Sequence, residues 1–295
     1  MTSLQQFGGD WTREKLDIVG RYLTAYSLAL KNKPFRKIYI DAFAGTGYRV
    51  ERDTEKDSDE ILLVPNAIET VEFTDGSARI ALKTEPPFDE YVFIEKSRRR
   101  IDELEKLRAE FPTLSDNIRI HHDDCNDCLQ RVCRETDWKN ERAVAFLDPF
   151  GMQVDWETVR AIAETEAMDL WTLFPLGVGV NRMLKKNGDI RSSWCERLNK
   201  IFGTVDWYEE FYRKDGQLDL LRNEESYVKT ASLESIGQFY ASRLKGVFPR
   251  VAKESRRLCN SRGNPLYSLY FCCANPSAKA QALAFKIADH ILGRI

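Results

Sequence analysis

The chain has 295 residues, 44 Lys and Arg against 46 Asp and Glu, a net charge of −2 and 43% hydrophobic residues. This is the composition of an ordinary globular protein; it excludes a disordered, collagen-like or coiled-coil chain, and without a strong positive field any nucleic-acid partner has to be held by local patches. No run approaches the roughly 18–20 apolar residues of a membrane span, and the start MTSLQQFGGD has neither a basic n-region nor an apolar h-region, so no membrane partner is expected and a cytoplasmic location is.

In chain order, Thr12 is a plausible N-cap for a first helix with an apolar stripe of Leu16, Val19, Leu23, Tyr26 and Leu30, stopped by Pro34. KIYIDAFAGTG then predicts a buried strand feeding a glycine turn. Residues about 50–75 are polar without a period and are expected to be an insertion. A helix from Ser77 leads through Pro86-Pro87 to the strand YVFIE, ending at Glu95, and a long helix follows with Ile101, Leu104 and Leu107 on one side. NIRIHHDD is a third strand, with a helix over Cys125–Arg134 after it; RAVAFLDPFG is a fourth, then come a helix at 156–164 and the strand DLWTLFP.

Residues 185–230 break this alternation and are expected to be a mostly helical insertion. A helix at 232–245, strands near 251–258 and in LYSLYFCCA, and a helix at 277–291 complete the chain. The expected organisation is therefore an N-terminal helical segment (1–35), an α/β core (36–184), the insertion (185–230) and a C-terminal part completing the sheet (231–295). Strands alternating with helices at this spacing predict an α/β fold, a mostly parallel sheet with helices on both faces. Ligands of such sheets bind at the carboxyl ends of the strands, where Asp41, Glu95, Asp124 and Asp148 all fall.

Asp41-Ala-Phe43-Ala-Gly45-Thr-Gly47 sits where a strand meets a loop, and its glycines allow a ligand close to the backbone. A dinucleotide fingerprint would require a third glycine where Val50 stands. The pattern resembles instead motif I of class I S-adenosylmethionine methyltransferases, which implies a Rossmann-like fold and cofactor contacts from Asp41, Phe43, Gly45 and Gly47. Glu95 is then placed for the ribose hydroxyls of an adenosyl group, a charge-assisted contact worth roughly 1.5–3 kcal/mol. Asp124 is placed for the adenine amine, with Asp123 competing. Asp148-Pro149-Phe150-Gly151 resembles motif IV of amino methyltransferases, with the aromatic one position early. In that reading Asp148 and a carbonyl freed by Pro149 accept the hydrogens of an amino nitrogen while Phe150 stacks on a flat substrate, and these three are the catalytic expectations. No Pro-Cys nucleophile accompanies them.

The seven cysteines, an odd number, suit reduced thiols. Cys125, Cys128, Leu129, Val132 and Cys133 follow helical spacing, so an apolar helix face is expected there rather than zinc. Arg98-Arg99-Arg100, Lys185-Lys186 and Arg256-Arg257 with Arg262 have acids beside them and fit solvated faces better than phosphate sites. Trp194, Trp207, Tyr208, Phe211 and Tyr212 fit either a target-recognition surface or the insertion's own core.

Trp11-Thr12 with Lys15-Leu16, IYIDAFAGTG, Gly76-Ser77 with Ala81-Leu82, FIE, the acid before Asn126, LDPFGMQVDW and NPLYSLYF together resemble the three-Cys-motif partner protein family, TcmP, from about residue 11 to 291. The resemblance implies a class I methyltransferase-like fold and a bacterial gene neighbour with a three-cysteine motif of iron–sulfur or radical type. The chain's own C-x2-C-x4-C spacing differs from C-x3-C-x2-C, so any cluster would belong to that partner. The readings that follow are an amino methyltransferase using S-adenosylmethionine on a nucleobase-like substrate, a non-catalytic binding or assembly partner, and, more weakly, a nuclease or hydrolase with Asp41, Glu95 and Asp148 around a metal ion.

Overall fold

Short apolar runs form the sheet because burying them on both faces removes most of their surface from water. A computed structural model describes residues 10–44, 76–219 and 224–293; Gly45, Gly47 and the expected insertion at about 50–75 lie outside the described residues. Helix α1 (Asp10–Leu30) precedes β1 (Arg36–Asp41), α2 (Ser77–Leu82), β2 (Glu90–Glu95), α3 (Arg98–Glu110) and β3 (Ile118–His122). After these come α4 (Cys125–Glu135), β4 (Glu141–Leu147), α5 (Trp156–Glu164) and β5 (Met168–Phe174). The remainder comprises α6 (Ser192–Phe202), α7 (Trp207–Phe211), β6 (Tyr212–Asp219), β7 (Glu224–Lys229), α8 (Leu233–Lys245), β8 (Arg250–Val251), β9 (Arg256–Cys259), β10 (Pro265–Cys273) and α9 (Ala278–Leu292).

The central sheet runs β3-β2-β1-β4-β5-β10-β8, with β9 also on β10. Strands β1 to β5 are parallel, whereas β10 runs antiparallel beside β5 and carries β8 and β9 antiparallel on its far side. An antiparallel hairpin strand inserted next to β5 in an otherwise parallel, doubly wound sheet is the class I methyltransferase-like arrangement of a Rossmann-like α/β fold.

Pleating sorts the strand residues between two cores. Ile38, Ile40, Ala143, Ala145 and Leu147 face α4, α5, α6 and α8. Tyr39, Val144 and Phe146 face α1, α2, α3 and α9. The alternation places Asp41 with Tyr39, and Asp148 with Phe146, on the side that α1 covers.

Three local expectations change. Helix α1 begins at Asp10, so Thr12 lies inside its first turn and is not the N-cap. The strand expected near 251–258 is two short strands, β8 and β9, because each pairs with a different stretch of β10. Residues 185–230 are not mostly helical: besides α6 and α7 they contain the antiparallel pair β6–β7, with Tyr212 opposite Lys229 and Lys214 opposite Tyr227. Here packing outweighs propensity, since Tyr208 stacks on Tyr212 with centroids 4.8 Å apart and meets Tyr227 edge-on. The other aromatics largely form a local core; Trp207 and Phe211 are buried, and Trp207 Nε1 donates to Asn199 Oδ1 at 2.7 Å.

Candidate active site

Strand order reverses between β1 and β4, and their carboxyl ends, with that of β2 and the β3–α4 turn, surround a cavity of about 310 Å³. Ala42, Phe43, Glu95, Arg100, Asp124 and Phe150 line it, with Arg197 and Lys200 contributed by α6. Such a crevice is where ligands of open α/β sheets bind, and its volume is at the lower end of the roughly 300–1,000 Å³ found for small-molecule sites.

Four expected residues meet at this cavity. Phe43 follows β1, and its N–H donates to Asp41 Oδ1 at 3.2 Å. Glu95 is 4% exposed; its Oε1 accepts the Ser97 N–H at 2.6 Å and its Oε2 lies 2.8 Å from Arg100 Nε. This contact is an ion pair without hydrogen-bond alignment, since Arg100 Nε has no hydrogen-bond acceptor. The Arg100 guanidinium also sits over the Phe150 ring at 5.2 Å, and Phe150 is 47% exposed.

Asp124 caps α4, its Oδ1 accepting from the Asn126 N–H at 2.9 Å and from Asn126 Nδ2 at 3.3 Å. Its other oxygen lies 3.5 Å from Lys96 Nζ. Asp123 also lines the cavity; a hydrogen bond from Arg131 at 2.7 Å holds its carboxyl below the usual range. Both acids are present and both already have partners within the chain.

Asp41 and Asp148 do not line the cavity. Asp41 is fully buried, accepts hydrogen bonds from Tyr39 Oη at 3.3 Å and from the Ser77 side chain, and is pushed up to about 7 by that burial. Asp148, just past β4, has both carboxylate oxygens on Lys15 Nζ, at 2.6 and 2.5 Å. Lys15 lies over the Trp11 ring at 4.9 Å, and Trp11 stacks on Tyr267 at 5.2 Å. Asp41 and Asp148 thus share one face of the sheet, behind α1, while Glu95 and Asp124 stand at the cavity.

Two residues that the sequence offered only as parts of family motifs, Lys15 and Asn126, turn out to organise the site's surroundings. Lys15 is spaced three, four and seven from Ile18, Val19 and Tyr22, all buried; a lysine inside an apolar stripe needs a buried counter-charge, and that was the available signal. Asn126 joins α4 to the loop behind Phe150. Its Nδ2 donates to Gln153 O at 2.9 Å, and its Oδ1 accepts from Asp155 N at 2.9 Å and Thr158 Oγ1 at 2.8 Å. Nothing local signals these long-range partners.

Other expected side chains behave as structural parts. Cys125, Cys128 and Cys133 are buried free thiols, which burial pushes up to about 12, 11 and 12. Among the described residues no group of three His, Cys, Asp or Glu is arranged to hold a metal ion. Arg98 and Arg99 pair with Asp102 and Glu103, and Arg256 and Arg257 pair with Glu14 and Glu234. No helix among the described residues is long and apolar enough to cross a membrane.

No family model matches the chain, and no curated protein matches it. Three solved structures resemble it distantly. The Legionella pneumophila protein LPL1258, described under the family model DUF519, has a TM-score of 0.43 at 14% identity, covering 95% of this chain and 90% of that one. The methyltransferase domain of bacterial CtHen1-CN has a TM-score of 0.34 at 9% identity, covering 87% and 99%. A conserved hypothetical protein from Streptococcus pyogenes has a TM-score of 0.31 at 12% identity, covering 52% and 77%. Likenesses this remote carry no argument about residues or reaction.

Proposed function

We propose that the protein is a methyltransferase that uses S-adenosylmethionine and delivers the methyl group to an amino nitrogen, that of a nucleobase. The observation that carries this reading is the cavity at the β1/β4 reversal, with a buried carboxylate at the end of β2 and two phenylalanines on its wall. Its residues fit an adenosyl group. Glu95 accepts one hydrogen bond and faces one guanidinium, and a carboxylate has about four acceptor positions, so it retains capacity for a ribose diol. The outer oxygen of Asp124, met by Lys96 at 3.5 Å, has a lone pair left for an exocyclic amine, and Phe43 offers an apolar face to a flat ring.

When bound, the cofactor supplies an electrophilic methyl group on a cationic sulfur. The chain's part is positioning and charge placement. Asp148 accepts an N–H of the acceptor amine, Pro149 shapes the turn that presents it, and the exposed ring of Phe150 stacks on the flat acceptor. The glycines Gly45 and Gly47 belong to the cofactor side of this reading, as does Asp41, which supports the β1 turn through the Phe43 N–H. The resemblance to TcmP adds a three-Cys-motif protein as a working partner.

The test is transfer of radiolabelled methyl from S-adenosylmethionine into fractionated RNA, DNA and protein, with and without the three-Cys neighbour, alongside calorimetric titration with S-adenosylhomocysteine. Cofactor binding with label in a nucleic-acid fraction is the expected result; absence of cofactor binding defeats the reading. A second reading, a cofactor-binding assembly subunit without turnover, is favoured by the ion pair that already occupies Asp148. It predicts cofactor binding with no label in any fraction. The metal-dependent hydrolase has less support, because Asp41 is turned into the core while Glu95 and Asp148 are paired with Arg100 and Lys15.

A further inference from the structure

We propose that Lys15 is a positioning residue that restricts the acceptor to an uncharged aromatic amine, excluding aliphatic ammonium groups. This rests on the methyl-transfer reading above and assigns the residue that enforces its choice of amine.

Lys15 Nζ contacts both oxygens of Asp148, and the two side chains are only 8% and 18% exposed. Among the described residues it is the one cation paired with Asp148. The Lys15 ammonium also lies over the Trp11 ring at 4.9 Å, and Trp11 is backed by Tyr267 at 5.2 Å, so Lys15 is held at Asp148 from a second side. Two consequences follow from the charges. A second cation brought to the same carboxylate meets Lys15 within a few ångströms in a poorly screened site and is repelled. An aliphatic ammonium would also have to surrender a proton before its nitrogen had a lone pair, and a carboxylate already bound to an ammonium is a weak base for that task.

An uncharged amine avoids both obstacles. Lys15 uses two of the roughly four acceptor directions of Asp148, leaving at least one for an N–H of the incoming amine, and the two-point contact holds the carboxylate in one orientation. As the N–C bond forms and the S–C bond breaks, the positive charge passes from sulfur to nitrogen and the cofactor becomes a neutral thioether. The nitrogen then releases one proton to Asp148 and from there to solvent. Phe150, 47% exposed and two residues from Asp148, favours a flat ring carrying that amine.

The experiment uses the full chain with methyl-deuterated S-adenosylmethionine and four acceptor probes: single-stranded RNA and DNA oligonucleotides containing all four bases, polylysine, and spermidine. Wild type, Lys15→Met and Lys15→Arg are compared, with S-adenosylhomocysteine affinity and circular dichroism measured for each. Wild type should label base amines and leave polylysine and spermidine unlabelled. Lys15→Met should lower kcat on the order of a hundredfold, the scale of a misplaced reacting group, with KM and cofactor affinity little changed, and Lys15→Arg should restore most of the rate. Wild-type label on either aliphatic amine, no label on any base, or undiminished turnover by Lys15→Met overturns the proposal. The acceptor panel decides even if Lys15→Met does not fold. Failure of wild type to bind S-adenosylhomocysteine, or binding with no label on any probe, sinks the methyltransferase reading itself, whereas label on polylysine or spermidine sinks this inference alone.

Discussion

Lys15 in α1 and Asp148 at the end of β4, 133 residues apart in sequence, form a two-point ion pair at 2.5 and 2.6 Å that pins the first helix to the sheet. Taking two charges out of water is costly, and the pair offsets that only while both partners are present. Lys15→Met alone is expected to destabilise the fold by about 3 kcal/mol, by stranding a largely buried carboxylate. Adding Asp148→Leu should recover most of that loss. Urea unfolding of both single variants and the double variant checks it; additive losses would mean that the two side chains do not interact.

Asn126 connects the cap of α4 with the 153–158 segment through hydrogen bonds at 2.8–2.9 Å. Its replacement by Ala leaves several partly buried groups without partners, at about 1–3 kcal/mol each where they stay dry. Asn126→Ala should lower both the urea midpoint and the affinity for S-adenosylhomocysteine, since Gln153 Oε1 accepts the Phe150 N–H at 3.2 Å. Unaltered affinity in a folded variant would place Asn126 outside the site's support.

Gly203 ends α6 at φ +65°, and a Cβ there would lie 2.0 Å from Trp156 Cδ1. The left-handed backbone disfavours a side chain, and the Arg243 guanidinium lies over the indole at 5.0 Å. Arg243 Nε also donates to Phe202 O at 2.9 Å, completing the helix end. Gly203→Ala should therefore cost about 2–4 kcal/mol in equilibrium unfolding, summing strain and overpacking. A neutral effect would show that Trp156 moves freely.

Burial pushes Asp41 up to about 7 and Asp169 up to about 6; Asp169 accepts the Tyr22 hydroxyl at 2.6 Å. Between the ordinary carboxyl range and these values the folded chain holds protons that the unfolded chain has released. Stability from these groups is therefore greatest at low pH and declines as pH rises through the window. Asp41→Asn cannot ionise, so the fall in unfolding free energy between about pH 5 and about pH 8 should be smaller than in wild type. An equal or larger fall in the variant would contradict the buried, proton-retaining state of Asp41.

Phe150 contributes little to the core because it is 47% exposed. Phe150→Ala should leave stability within about 0.5 kcal/mol and weaken stacking of a flat ligand by roughly 1–3 kcal/mol. Calorimetry with S-adenosylhomocysteine and with the labelled acceptor separates the two subsites. Wild-type affinity for both would remove Phe150 from the site.

Much of the layout was legible along the chain. KIYID, YVFIE and AVAFL are apolar runs ended by acids or by proline, and alternation with helical stripes was enough for the parallel sheet and for the level of Glu95 and Asp124 on it. The Cys125–Cys133 face was legible for the same reason, that helical periodicity is a local property. The pairing in 212–229 was not, because its polar residues carry no clear period and aromatic contacts from Tyr208 settle its conformation.

Local pattern established which segments become strands and helices and which end of the sheet gathers the acids, because period and turn chemistry act over a few residues. Which acids face the crevice was settled by assembly. Pleat parity turns Asp41 toward the face that α1 covers, with Asp148 just past β4 on the same side, the antiparallel insertion of β10 brings Tyr267 against Trp11, and Lys15 finds its counter-charge just past a strand formed more than a hundred residues later. A buried charge has to be met by whatever the fold brings within reach, and no neighbour in sequence supplies that partner.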